Sequence, residues 1–279
     1  MSPLTQGWPV AIAIVALLVP WAAQSQDRSA DEDLAKSLAN PVAALISVPF
    51  QFNYDDRIGP AHGGQRLTMN FQPVIPFTLT EDWNIISRTI VPVISQWNIG
   101  PGTGNQFGLG DTLQSLFFSP SKPTAAGLIW GLGPAVLIPT GTDPLLGGGQ
   151  WAAGPTGVAL MQIGPWTIGA LANHVWSYGA VRSNTATISQ TFVQPFVSYT
   201  TKDAWTFTLN SESTYDWTRD QLSLPLNAVV SKVVKIGGHP VSVGVGARYY
   251  AVSSDTGAQG FGARALVTLL FPKPPRASP

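Results

Sequence analysis

The chain has 279 residues and a formal net charge of zero, which argues against a basic nucleic-acid surface and against an acidic solvating tail. Only 11% of its residues are charged, against roughly 25% in an ordinary soluble domain, while Gly (28), Pro (24) and Trp (10) are plentiful. So few charges cover a water-facing surface poorly, and the lack of any Cys excludes disulfides, thiolate metal sites and cysteine nucleophiles.

In chain order, residues 8–23 form an apolar run that leads into Ala23-Gln24-Ser25, the small-residue pattern read by a signal peptidase. A cleaved signal peptide over 1–25 is expected, although residues 1–7 carry no Lys or Arg. Pro9 and Pro20 bracket the run and leave it short of the ~20 residues an anchor helix needs. No later apolar run reaches that length either. Residues 26–42 differ from everything that follows. They cluster acids, carry a short helical pattern at Leu34, Ala35 and Leu38, and stop at Asn40-Pro41. This segment is read as a flexible periplasmic leader with a short helix, in preference to a helix that caps or plugs a pore.

From residue 43 to 271 the pattern is alternation. Within 204–217, Trp205, Phe207, Leu209, Tyr215 and Trp217 share one parity, and Thr206, Thr208, Asn210, Glu212, Thr214 and Asp216 share the other. Strand side chains alternate between faces, so one face is mostly apolar with aromatics at both ends and the other is polar. Trp205, Phe207, Tyr215 and Trp217 are thereby assigned to aromatic girdles at the two membrane interfaces. Segments 45–54, 66–79 and 260–271 repeat the scheme, whereas 83–97 and 124–139 are apolar on both faces and could line a greasy part of the interior.

Twelve strands are predicted, at about 43–54, 66–78, 83–96, 107–118, 124–138, 151–162, 166–178, 187–200, 204–216, 222–235, 240–252 and 258–271. Tight turns alternate with longer, Gly-rich loops, the arrangement of short periplasmic turns and long external loops in outer-membrane barrels. An open sheet of this kind would leave unpaired edges in lipid, which cost several kcal/mol per group, so it must close. The expected fold is therefore an all-β, antiparallel transmembrane barrel over 43–271, followed by a flexible tail over 272–279. The last strand ends at Phe271, an outward aromatic of the kind presented to the barrel-assembly machinery.

By parity, Arg66, Arg88, Glu212, Arg248 and Arg264 face inward, with Asp111 a weaker member because its strand sorts its faces poorly. Opposed Arg and carboxylate groups could form a charged constriction that sorts solutes. A structural network that fills and closes the lumen is the simpler reading of the same charges. His62, His174 and His239 lack the spaced partners of a metal site, so no metal or other cofactor is expected. A lipid hydrolase would require His174 beside a serine at the rim, and an interfacial histidine is the plainer account.

The run from Asn40 through Pro41 and Val48-Pro49-Phe50-Gln51 belongs to a wider set of short motifs. The others are Gln72-Pro73-Val74-Ile75-Pro76, Gly110-Asp111, Gly133-Pro134, Ile138-Pro139-Thr140-Gly141 and Gln194-Pro195-Phe196. Over roughly 31–271 the chain resembles the transporter-like outer-membrane proteins of the phenol meta-degradation pathway family, often labelled neuromedin U-like. The resemblance implies an outer-membrane barrel that admits small, often aromatic, molecules, and it carries no catalytic residue across. The expected function is passive passage of small solutes through the bacterial outer membrane, without enzymatic activity. The alternatives are a structural barrel with a blocked lumen and a barrel lipid hydrolase. The solute and the oligomeric state stay open.

Overall fold

The computed structural model describes residues 28–272. The signal peptide expected over 1–25 and all but the first residue of the expected tail lie outside them. A helix, α1 (Arg28–Leu38), precedes fifteen strand segments. They are β1 (Ile46–Ile58), β2 (Gly64–Phe71), β3 (Val74–Thr78), β4 (Trp83–Trp97), β5 (Gln106–Leu109), β6 (Thr112–Pro120), β7 (Leu128–Ile138) and β8 (Gln150–Ile163). There follow β9 (Trp166–Ala180), β10 (Ser189–Thr200), β11 (Trp205–Ser211), β12 (Ser213–Asp216), β13 (Gln221–Ile236), β14 (His239–Val252) and β15 (Gly260–Phe271).

Three pairs of segments, β2 with β3, β5 with β6 and β11 with β12, are halves of single crossings, so the segments make twelve crossings. Every neighbour pairs antiparallel, and β1 closes on β15 from Ile46↔Phe271 to Tyr54↔Ala263. With β9 paired to β10 the ring has no free edge, as the absence of water in a bilayer core demands. The interruptions fall at Gln72-Pro73, Gly110-Asp111 and Glu212. Proline removes a ladder donor and glycine weakens a strand interior, which accounts for the first two breaks.

Strand bounds differ from the sequence reading at informative places. β7 begins at Leu128 rather than near 124, because Pro123 has no N–H and Gly127 turns the chain at positive φ (79°). β1 runs on to Ile58 and carries Asp55 opposite Arg66, where a loop was expected.

The outer wall is apolar. Leu209 is 60% exposed in the middle of the wall, and Leu132, Ile168 and Val245 lie bare in the same way. A continuous belt of this kind on a barrel is a lipid-facing surface. Aromatics collect at its two ends. Trp83 stacks edge-on against Trp130 (5.9 Å) and Trp166 against Tyr199 (4.9 Å) near the short turns, while Tyr215 meets Trp217 (4.6 Å) near the long loops.

The inner wall is mixed. Ile86, Phe117, Val158, Leu160 and Leu171 form a buried apolar patch inside the barrel, on the side built from β4 to β9. Val42, which precedes the first strand, sits in that patch at 6% exposure. Gly131 makes room for it, since a Cβ there would press on both Phe117 and Val42 at 3.2 Å. Burying one such valine contributes about 1.5–3 kcal/mol.

Helix α1 lies across the short-turn end of the barrel. Ala35, with Leu34 and Leu38, packs against Ala204, Val233 and Leu270, and Leu45 completes the cluster. Asp31 reaches Lys235 at 3.8 Å, and Gln162 on β8 donates to the Lys36 carbonyl at 2.9 Å, so the helix spans the mouth. Asn40 then folds the chain inward, its side chain accepting from the Val42 N–H at 3.0 Å. This corrects the expectation of a flexible leader. The apolar partners of Leu34, Ala35 and Leu38 come from β13, β15 and the turn before β11, far away in sequence, so local composition did not reveal them.

Candidate solute path through the barrel

Glu212 sits at the break between β11 and β12 and points inward with Thr206, Thr208 and Asn210. Arg264 on β15 donates through Nη1 and Nη2 to Glu212 Oε1 and Oε2 (2.9 and 2.7 Å), and through Nε to Asn53 Oδ1 (2.8 Å). Arg248 on β14 stands 3.9 Å from the same carboxylate and 3.6 Å from Asp55. It also donates to the Tyr250 hydroxyl at 3.1 Å. Planar guanidinium groups suit such two-pronged contacts, and charge-assisted bonds are the stronger kind. Two arginines and two carboxylates thus tie β1, β11–β12, β14 and β15 together across the interior.

Two further arginines belong to different contacts. Arg66 donates to Gln96 Oε1 (2.8 Å), and Gln96 in turn donates to Gln106 Oε1 (3.1 Å) and to the Leu145 carbonyl (3.2 Å). Through that chain the loop 139–149 is held over the lumen. Arg88 on β4 donates to Gln72 Oε1 at 3.1 Å.

Asp111 does not join the arginines. Its carboxylate accepts from the backbone N–H of Gly141 (3.0 Å) and Gly148 (2.6 Å), clamping loop 139–149, while Arg182 donates to the Gly141 and Gly147 carbonyls of the same loop. The break at Gly110-Asp111 turns the carboxylate toward the loop, so Asp111 is a loop fastener. Of the aromatic residues singled out in the sequence, Trp205, Phe207 and Trp217 are exposed on the outer wall. Tyr215 is half-buried and donates to Asp220.

Asn53 was assigned to the polar face without its partner Arg264, and Asp55 and Tyr250 were missed in the sequence, yet the signal was present. Asn53 and Asp55 continue the inward parity of Ser47 and Gln51, and Tyr250 continues that of Arg248. Gln72 was assigned to the polar face, but nothing local marked it as the partner of Arg88.

Two cavities follow one another inside the barrel. One, of about 240 Å³, lies beneath the N-terminal segment and is lined by Ser37, Leu38 and Asn40 together with Ser198 and Asn210. The other, of about 270 Å³, is lined by Gln51, Asn70, Asn173, Gln190 and Glu212 and by several apolar side chains. Gln72, Arg88 and Gln194 belong to both walls. Among the described residues no group of three or more His, Asp and Glu is placed to hold a metal ion.

His174 faces outward beside Trp176. Its Nδ1 meets the Thr191 hydroxyl at 2.6 Å, and its Nε2 lies 3.5 Å from the Ser189 hydroxyl. A hydroxyl, not a carboxylate, therefore orients the ring, and the contact to serine is long for activating a nucleophile.

No protein-family model and no curated protein sequence matches this chain. Solved structures do. The crystal structure of the COG4313 outer membrane channel from Pseudomonas putida F1 aligns with a TM-score of 0.63 at 12% identity, covering 82% of this chain and 96% of that one. The NanC porin aligns with a TM-score of 0.50 at 7% identity, covering 81% and 100%. Outer membrane phospholipase A from Escherichia coli aligns more loosely, with a TM-score of 0.45 at 10% identity over 81% and 96%, too distant to bear on activity. At these identities the likeness establishes the fold, that of the outer-membrane β-barrels.

Proposed function

We propose that this protein is a passive channel of the bacterial outer membrane that admits small solutes. The observation that carries the reading is the pair of adjoining cavities inside a closed barrel, aligned with the lumen and joined at Gln72, Arg88 and Gln194. A barrel built only as a scaffold gains nothing from keeping polar side chains around internal space, since buried polar groups cost stability unless they are paired. The name of the Pseudomonas putida neighbour, an outer membrane channel, supports the same reading. In this arrangement the short turns and α1 face the periplasm, and the long loops face outward. Residues 1–25 serve as the export signal, and Phe271 serves the assembly machinery. The resemblance to transporter-like barrels of the phenol meta-degradation group favours solutes with aromatic or other apolar bodies. The buried patch around Phe117 and Leu171 suits such bodies.

Planar-bilayer recording of the purified full-length protein, together with liposome swelling, tests the proposal. Discrete conductance steps and solute-dependent swelling are expected. If both are absent, the barrel is structural and its lumen is blocked by the segment 28–45. A second reading, lipid hydrolysis at the outer rim, draws on the contact between Ser189 and His174. Fatty-acid release from phospholipid vesicles that disappears in His174→Ala would favour it over the channel, and no release is expected.

A further inference from the structure

The four arginines of the lumen are not equivalent. Arg264 and Arg248 stand beside Glu212 and Asp55, and Arg66 lies directly opposite Asp55 in the register of β1 and β2. Arg88 is different. Among the described residues no carboxylate forms an ion pair with it, and its hydrogen bond goes to the neutral amide of Gln72. Glu212 lines the same cavity and attracts Arg88 across it, but Arg264 already holds both of its oxygens and no contact forms with Arg88. A guanidinium has five N–H donors, so Arg88 brings a surplus positive charge and spare donors to the cavity wall. Glu212 and Asp55 are two carboxylates for the four guanidiniums, so the lumen keeps an excess of positive charge. That excess is costly where no carboxylate is in contact, as at Arg88, unless an anionic partner arrives from outside.

The walls of the 270 Å³ cavity indicate what that partner is. With Arg88 and the already paired Glu212, the lining of this cavity includes the carboxamides of Gln51, Asn70 and Gln194 and the apolar side chains of Leu113, Leu137, Val175 and Phe192. At roughly 30 Å³ per water the space corresponds to about nine waters. That volume suits a compact organic molecule. A cation would be repelled by Arg88. An inorganic anion would leave the apolar wall unused, and a neutral apolar molecule would leave the guanidinium unsatisfied. We infer that the lumen holds a binding site for a small organic carboxylate with an apolar body, its anionic head on Arg88 and its body against Leu113, Leu137 and Phe192. The inference rests on the channel reading for how the ligand arrives, and the site itself can be tested apart from conduction.

The test uses benzoate as the probe, with benzyl alcohol as a neutral counterpart of similar shape. Titration calorimetry on the full-length protein in detergent measures both, for the wild type, Arg88→Gln and Arg88→Lys. Subtracting a titration of the same detergent without protein removes partition of the probes into micelles. Losing a charge-assisted contact is expected to weaken benzoate binding roughly tenfold or more in Arg88→Gln, with Arg88→Lys intermediate and benzyl alcohol indifferent to all three. Equal binding of the two probes to the wild type overturns the inference, as does unchanged benzoate binding in Arg88→Gln. Should Arg88→Gln fail to give a heat-modifiable barrel on gels, the wild-type comparison of benzoate with benzyl alcohol and the Arg88→Lys titration decide the matter. Bilayer recording of the same samples separates the two claims. Arg88-dependent benzoate binding without conductance removes the channel and keeps the site, and conductance without such binding removes the site alone.

Discussion

Arg264 and Glu212, 52 residues apart in the chain and three crossings apart around the barrel, grip each other through two parallel hydrogen bonds of 2.9 and 2.7 Å. The arginine side chain is 2% exposed and the carboxylate 19%, so water screens the pair weakly. Removing one partner strands the other in the interior, which is more costly than losing the attraction itself. Arg264→Ala is expected to destabilise the barrel by about 3 kcal/mol, because Glu212 then loses both hydrogen bonds and keeps only the more distant Arg248 and Arg88. Denaturant unfolding of the detergent-folded protein measures this. An unfolding midpoint equal to the wild type's would mean the pair is dispensable.

The N-terminal segment is the main obstruction at the short-turn end, with α1 on Ala204, Val233 and Leu270 and Val42 in the patch beside Phe117. Deleting residues 28–38 removes the helix and leaves the strand ladder intact. Single-channel conductance is expected to rise several-fold in planar bilayers. Conductance unchanged by the deletion would shift the obstruction to loop 139–149.

That loop is fastened from below by Asp111, whose two oxygens each accept a backbone N–H. Asp111→Ala leaves Gly141 and Gly148 without these acceptors, at about 1–3 kcal/mol for the local structure. Limited proteolysis followed by mass spectrometry is expected to find faster cleavage within 139–149, with the rest of the barrel as resistant as before. Identical cleavage kinetics would show that Arg182 and the surrounding threonines hold the loop without Asp111.

The outer wall offers a depth-dependent test of the membrane reading. Leu209, exposed at mid-wall, and Trp205, near the short turns, lie on the same face of β11. In lipid vesicles Leu209→Arg is expected to cost about 2–4 kcal/mol and Trp205→Arg about 0–1 kcal/mol beyond the loss of its ring packing. If the two substitutions cost the same charge penalty, the belt does not sit across a bilayer.

Much of the wall was readable from local pattern. Parity along 204–217 sorted Leu209 from Asn210 correctly, because a period of two is a property of the extended backbone and needs no partner. The same parity put Arg66, Arg88, Glu212, Arg248 and Arg264 on the polar face. It also would have yielded Asp55 had the strand been followed past Tyr54. For Asp111 parity carried no partner: the break at Gly110 interrupts its strand, and its carboxylate meets the N–H groups of Gly141 and Gly148 instead of an arginine.

Two matters were decided by sequence alone and two by the closed fold. Alternation and the scarcity of charge settled that this chain makes an antiparallel sheet with one apolar and one polar face, since each residue's side follows from its immediate neighbours. The count of crossings was legible as well, because turns and loops punctuate the chain. Which inward residues meet was not, because that depends on the stagger and tilt with which the strands close into a ring. Closure brought Arg264 onto Glu212, drew the segment 28–45 into the mouth, and left Arg88 bonded to a neutral amide between two cavities.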